Sequence, residues 1–149
     1  MKHVNTNNPK SRPDGTYAKV IEQIADDGVC PFCPEHLAEY HKHTVTEKKY
    51  WLVTDNMYPY KPNLLHRLLI HKAHVVHITE ISPEAWTELR EIILEESERA
   101  EIAGGTFIMR FGDTRFTGAS VTHLHASLVQ SNPDDPSYDP TKGLVVRIG

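Results

Sequence analysis

The sequence lacks three features that would restrict it to particular classes of protein. It contains no run of about 18 apolar residues, so no membrane-spanning segment is expected. It has only two cysteines, too few for the disulfide framework of a small extracellular domain. Acidic residues outnumber basic ones by 20 to 16, which argues against a broad basic surface for a nucleic acid polymer. A site for a single nucleotide needs only a few local donors and is not excluded.

The chain has the length and composition of one globular domain. Its 149 residues are 39% hydrophobic and 24% charged. Residues 1–14 are polar and include two prolines, so we expect a flexible N-terminal tail before a single domain over 15–149. The start of the chain lacks the apolar segment of a secretory signal, and a cytoplasmic location is therefore the default expectation.

Hydrophobic spacing predicts an α+β domain. Apolar residues spaced by three and four indicate a short N-terminal helix from Tyr17 to about Asp26, and Ser82-Pro83 begins a long helix that reaches about Ile102. A brief helix is expected over 35–40, and strands are expected over 44–54, 64–71, 106–111, 120–129 and 144–148. This order favours an antiparallel sheet of about five strands with the long helix packed across it.

Two histidines and a serine alternate along one predicted strand. Because side chains on a strand point to opposite faces in turn, His123, His125 and Ser127 are expected to share a face. The intervening Leu124 and Ala126 would enter the core. Considered alone, the pattern also fits a solvated polar face or one hydrogen-bonded histidine. The surrounding sequence has to distinguish a functional site from these alternatives.

A second histidine-containing segment supplies that context. Residues 66–74 read His-Arg-Leu-Leu-Ile-His-Lys-Ala-His, and Gly118-Ala119-Ser120 leads into the strand of His125. In this order the segments resemble the histidine triad superfamily of nucleotide hydrolases and transferases, over about residues 30–130. The resemblance implies a fold with five antiparallel strands, a nucleotide substrate and a homodimer.

The resemblance also implies roles for individual residues. His125 would be the nucleophile that forms a covalent nucleotidyl-histidine intermediate, as a neutral imidazole can near pH 7. Asp55 resembles the ribose-binding acid, although a turn residue before Asn56 would look the same. His66 lies in the substrate-binding strand motif, and Gly118 and Ser120 would lie near the phosphate, with Ser120 assigned to the catalytic group.

The third position of the triad departs from the family pattern. It is Ser127, where the hydrolases have histidine and some transferases have glutamine. A hydroxyl brings no positive charge and has a shorter reach, so the phosphate contact is expected to be weaker. The amide that the family uses about eleven residues earlier is replaced by Gly112, and Arg110 or Arg115 could donate to phosphate instead.

The Cys30-Pro31-Phe32-Cys33 motif has two interpretations. No βαβ unit surrounds it, which disfavours a thioredoxin-like redox pair. Two thiolates and two imidazoles can instead form a tetrahedral zinc site. The resemblance to zinc-containing histidine triad proteins implies Cys30, Cys33, His74 and His123 as the ligands, with His36 as an alternative.

Together these features predict a nucleotide hydrolase or nucleotidyltransferase acting on nucleoside phosphate esters, phosphoramidates or dinucleoside polyphosphates. The alternative is a zinc-stabilised nucleotide-binding protein with little or no catalysis, because Ser127 alters the phosphate contact. A redox protein is the third class. In the first two cases the partner is a small nucleotide rather than a nucleic acid polymer or a membrane.

Overall fold

A five-stranded antiparallel sheet is the centre of the computed structural model, which describes residues 2–149. The strands are β1 (Thr46–Glu47), β2 (Trp51–Asp55), β3 (Asn63–His71), β4 (Thr106–Arg110) and β5 (His125–Ser131). They lie in the order β1-β2-β3-β5-β4. The helices are α1 (Gly15–Asp27), α2 (Pro34–Tyr40), α3 (Pro83–Arg99) and the single turn α4 (Thr114–Thr117). None of the helices described is long and apolar enough to cross a bilayer.

The long helix α3 forms where its sequence signals predict. The Ser82 hydroxyl accepts a hydrogen bond from the Ala85 amide, and Pro83 occupies the first turn, where its missing N–H costs nothing. Ala85, Leu89 and Ile92 then form the buried stripe of the helix. The expected end near Ile102 is a few residues late, since regular helix stops at Arg99.

The two faces of the sheet serve different purposes. On one face Trp51, Val53 and Leu69 pack against α3, and the Trp51 indole donates to the Ala85 carbonyl at 2.8 Å. On the other face Leu68 and Ile70 pack with Leu37 of α2, and the same face carries His66 and His125. The candidate site is therefore on the side away from α3. The expected α+β class, with its long helix and short N-terminal helix, is confirmed.

The N-terminal segment differs from the expected flexible tail. Val4 is buried and forms an antiparallel bridge with Val121. The Asn8 side-chain amide donates to the carbonyls of Thr114 at 2.9 Å and Ala119 at 2.6 Å. Polar composition suggests a tail, but the Asn8 amide supplies the hydrogen bond to the Ala119 carbonyl, which has no other donor among the described residues.

Two predicted strands also differ. Residues 120–124 do not continue β5, which begins at His125, because Val121 pairs with Val4 instead. Residues 144–148 form no strand in the described chain. Their apolar side chains find no sheet partner, and Val145 and Ile148 are 72% and 77% exposed. The Arg147 carbonyl accepts a hydrogen bond from Arg110.

The packing of the N-terminal segment predicts a stability effect. Asn8→Ala removes both hydrogen bonds of the Nδ2 group and leaves the Ala119 carbonyl without a donor, so the free energy of unfolding should fall by about 1–3 kcal/mol. Urea unfolding measures it. Asn7→Ala is the matched control, because Asn7 is exposed and should change stability by less than about 0.5 kcal/mol. Equal stability of the two variants would contradict the packed arrangement.

Candidate active site and metal centre

Four predicted metal ligands come together in space. The turn between α1 and α2 supplies Cys30 and Cys33, His74 follows β3, and His123 precedes β5. Their ligand atoms all lie within 4.8 Å of one another. The Sγ–Nδ1 distances are 3.4 Å for Cys30–His123, 3.3 Å for Cys33–His74 and 3.7 Å for Cys33–His123. Tetrahedral zinc, with its usual bond lengths to sulfur and nitrogen, separates these atoms by about 3.6 Å. The four residues therefore fit a structural zinc ion.

The surroundings of the cluster favour a bound cation. His123 is fully buried, and its Nε2–H donates to the His71 carbonyl, which turns the Nδ1 lone pair towards the thiols. Burial lowers the pKa of His123 to about 4, so the ring is neutral as a ligand must be. Burial and the neighbouring Cys30 raise the pKa of the Cys33 thiol to about 12. A bound cation would favour the thiolate form of Cys33.

His125 is arranged as a neutral nucleophile. Its Nδ1–H donates to the His123 carbonyl at 2.7 Å, which leaves Nε2 with a free lone pair. Burial lowers the pKa of His125 to about 4, and the charge of Arg110 acts in the same direction. The edge of the ring packs against Phe32, with centroids 5.0 Å apart. The imidazole is therefore held in one tautomer and one orientation.

Ser127 and His66 lie on the same face of the sheet as His125. Nε2 of His66 is 2.9 Å from the Ser127 hydroxyl, and its Nδ1 accepts the Tyr60 backbone N–H at 3.1 Å. The His66 ring stacks on the Tyr60 ring with centroids 4.7 Å apart. Burial lowers the pKa of His66 to about 4, and the charge of Arg12 acts in the same direction. The structure thus brings three of the predicted residues into one cluster.

Arg110 completes this cluster from β4. It lies opposite His125 in the β4–β5 register. One terminal nitrogen donates to the Tyr60 hydroxyl at 2.9 Å and the other to the Arg147 carbonyl at 2.8 Å. Its Nε is buried and has no hydrogen-bond acceptor within residues 2–149. Arg115, the other arginine considered, instead pairs with Asp113 and is exposed.

Asp55 is not placed beside His125. It follows Trp51 and Val53 on the α3 face, where its carboxylate accepts a hydrogen bond from Arg67 at 2.9 Å. Arg67 is paired further with Glu96 of α3. Alternation along β2 explains the difference, because the odd-numbered residues point towards α3 and the even-numbered residues point towards the site face.

Sequence reasoning missed Asn56 and Tyr60. Nδ2 of Asn56 lies 3.3 Å from Nε2 of His66, and Tyr60 contacts both His66 and Arg110. Alternation along β2 could have indicated Asn56, since the even-numbered Leu52 belongs to the site face. No sequence signal indicated Tyr60, because it lies in a loop without periodicity.

The two residues expected near phosphate lie beside the chain termini. Gly118 has φ +73°, which ends α4, and a Cβ there would be 3.0 Å from the Arg147 carbonyl. The close backbone approach at this glycine is thus made by the C-terminal segment. The backbone carbonyl of Ser120 accepts a hydrogen bond from the backbone N–H of Asn5. These contacts give neither residue a place in the His125 cluster.

Solved structures with a similar fold were found by comparison. A HIT family hydrolase from Clostridium thermocellum superposes with a TM-score of 0.53 at 21% identity, over 68% of this chain and 90% of that one. A zinc-bound histidine triad family protein from Mycobacterium smegmatis gives a TM-score of 0.53 at 20% identity, over 70% and 78%. The fold is that of histidine triad proteins.

The similarity extends to a hypothetical protein from Leishmania major, with a TM-score of 0.56 at 15% identity over 76% of this chain and 77% of that one. No protein-family profile matches the sequence, and no curated protein sequence matches it either. At such low identities the histidine triad likeness describes the fold, and the chemistry has to be argued from this chain's own residues.

The metal cluster predicts a zinc content that can be measured. We expect about one Zn²⁺ per chain, and Cys33→Ser should lower both the zinc content and the melting temperature, because metal binding contributes folding free energy. Elemental analysis and thermal unfolding measure the two effects. His36→Gln is the matched control and should retain the metal. Protein that contains no zinc and is not destabilised by a chelator would contradict the assignment.

The buried histidines predict how stability depends on pH. Folding lowers the pKa values of His66 and His125 from 6.5 to about 4, so between these values the unfolded chain binds more protons. Their contribution to stability is therefore full above about pH 6.5 and is lost as the pH falls towards 4, by up to about 3 kcal/mol for each ring. Urea unfolding from pH 7 to 4.5 at fixed zinc concentration tests this. His125→Gln should flatten the dependence, whereas His43→Gln at an exposed position should not.

Proposed function

We propose that the protein is a histidine triad nucleotide hydrolase or nucleotidyltransferase. Its substrates would be nucleoside phosphate esters, phosphoramidates or dinucleoside polyphosphates. The observation that carries the proposal is the hydrogen bond from His125 Nδ1–H to the His123 carbonyl, which keeps Nε2 unprotonated beside Arg110. A fixed, neutral and partly buried imidazole next to a cation is suited to attack an anionic phosphate ester.

The reaction would proceed in two displacements at phosphorus. His125 Nε2 donates its lone pair to form a P–N bond, and the bond to the leaving group breaks with its electron pair on the departing atom, which takes a proton from water. In the second step water, phosphate or a sugar phosphate attacks phosphorus, the P–N bond breaks, and the attacking oxygen loses its proton. His125 returns to its neutral state, because imidazole is a tolerable leaving group.

Donors around His125 support binding of the phosphate. The unpaired Nε of Arg110 is a charged donor directly opposite His125, and a buried N–H without an acceptor is costly unless a ligand supplies one. Ser127 and Asn56 add neutral donors on the same side of the sheet. Asp55, bound to Arg67 on the other face, has no part in this proposal.

The metal cluster supports the site through its ligand His123. When bound, zinc would supply a structural cross-link between the cysteine turn and the segment that enters β5. His123 is both a predicted ligand and the acceptor of the His125 Nδ1–H bond. Zinc-dependent placement of His123 would therefore also place the nucleophile.

A second candidate function is a zinc-stabilised nucleotide-binding protein with little turnover. Ser127 favours it, because a neutral hydroxyl at the third triad position gives less stabilisation to a charged transition state than an imidazolium would. The two candidates differ in one measurable event, the formation of a covalent nucleotide on His125.

Intact mass spectrometry after incubation with a panel of nucleotides distinguishes them. The wild type should gain the mass of one nucleotidyl group, and His125→Ala should lose that adduct and reduce turnover by about 10³-fold or more. His43→Ala, at an exposed position, is the matched control and should behave like the wild type. Binding without any adduct would favour the second candidate, and near-native turnover by His125→Ala would overturn the covalent mechanism.

A further inference from the structure

A histidine on the neighbouring strand contacts the serine that occupies the third triad position. His66 of β3 and Ser127 of β5 are both buried, and Nε2 of His66 is 2.9 Å from Oγ of Ser127. Residues 66 and 127 lie diagonally across the β3–β5 ladder, on the face that carries His125. An imidazole therefore reaches the third triad position even though the residue there is a serine.

The direction of this hydrogen bond follows from the other side of the His66 ring. The Tyr60 backbone N–H donates to Nδ1 at 3.1 Å, so Nδ1 carries a lone pair. The single proton of the neutral ring is then on Nε2, and His66 donates while Ser127 accepts. Asn56 Nδ2, 3.3 Å from the same protonated nitrogen, cannot donate to it and is left for a ligand.

Because the Ser127 oxygen accepts the hydrogen bond from His66, the Ser127 hydroxyl hydrogen is not used in that bond. No other group within residues 2–149 forms a hydrogen bond with the Ser127 hydroxyl. Ser127 lies on the site face, where Arg110 and His125 are paired across β4 and β5. The hydroxyl hydrogen is therefore free to be donated to an acceptor on this face.

The His66 ring is itself held firmly. Tyr60 stacks on it with an interplanar angle of 27°, and the guanidinium of Arg12 lies over the Tyr60 ring, 4.9 Å from its centroid. Arg12 also donates to the Tyr58 carbonyl. A donor that is oriented before the substrate arrives requires no reorganisation in the transition state.

We propose that His66 is a positioning residue that, through its Nε2–H bond to Ser127, makes the serine hydroxyl a dedicated donor to a phosphate oxygen of the nucleotide. The two residues act as one unit in place of a third triad histidine. The inference rests on the proposed function for its substrate, a nucleoside phosphate, and it concerns hydrogen bonding alone.

A double-mutant cycle tests the unit. His66→Leu and Ser127→Ala should each lower kcat for hydrolysis of a nucleoside phosphoramidate by about tenfold, the effect of one ordinary hydrogen bond. The double variant should be no slower than either single variant, because the second substitution removes a bond that is already lost. His66→Gln should recover part of kcat, since its amide can donate from nearly the same position.

The chain offers a matched control. His41 is also buried, and its Nε2 lies 2.7 Å from the Thr54 hydroxyl on the same sheet. His41→Leu removes an equivalent histidine–hydroxyl pair away from His125 and should leave kcat within about twofold of the wild type. Circular dichroism and zinc content confirm that each variant is folded.

If His66→Leu does not fold, NMR shifts of the His66 ring nitrogens in the wild type decide: a proton on Nε2 supports the inference and a proton on Nδ1 overturns it.

Separate readouts distinguish failure of this inference from failure of the proposed function. If the His125 adduct still forms, a loss of kcat of about a hundredfold in the double variant would overturn the coupled unit. Failure of His66→Gln to recover any kcat would also overturn it. If no adduct forms, the proposed function fails, and the same cycle is measured on the affinity for the four nucleoside monophosphates. Non-additive losses of affinity would support the unit, and additive losses or no binding at all would overturn it.

Discussion

The hydrogen bond from His125 Nδ1–H to the His123 carbonyl connects the two halves of the candidate site. The His123 side chain faces the Cys30–Cys33 turn through Nδ1 and the His71 carbonyl through Nε2. Its carbonyl fixes the tautomer of His125. A movement of the metal cluster would therefore reach the nucleophile through His123 and through Phe32 of the cysteine turn, and the fully buried position of His123 resists such movement.

Segments far apart in the sequence build the surroundings of that pair. Arg12 near the N-terminus contacts the Tyr60 ring, which stacks on His66, and the Arg147 carbonyl near the C-terminus accepts from Arg110. Both chain ends thus hold residues that face the site. This explains why the N-terminal segment is packed rather than free, although its composition is that of a tail.

Residue alternation explains which predicted residues lie on the site face and which do not. Along β5 it places His125 and Ser127 on one face, because the strand is regular there. His123 precedes β5, so strand alternation does not determine the direction of its side chain, which faces the cysteines of the metal cluster. Along β2, the family resemblance implies Asp55 as a site residue, but alternation turns it to Arg67 and leaves Asn56 nearer to His66.

The sequence by itself determined the α+β class, the long helix, the cysteine pair and the two histidine-containing strands, because periodicity and capping act over a few neighbouring residues. Only the tertiary structure decided which face Asp55 occupies, that Val121 pairs with Val4, and that His66 contacts Ser127. The face of Asp55 depends on how β2 is oriented against α3, and the other two features depend on contacts across 61 or more positions, as for His66 and Ser127. Local spacing carries no information about such contacts, since they form only when the whole sheet is assembled.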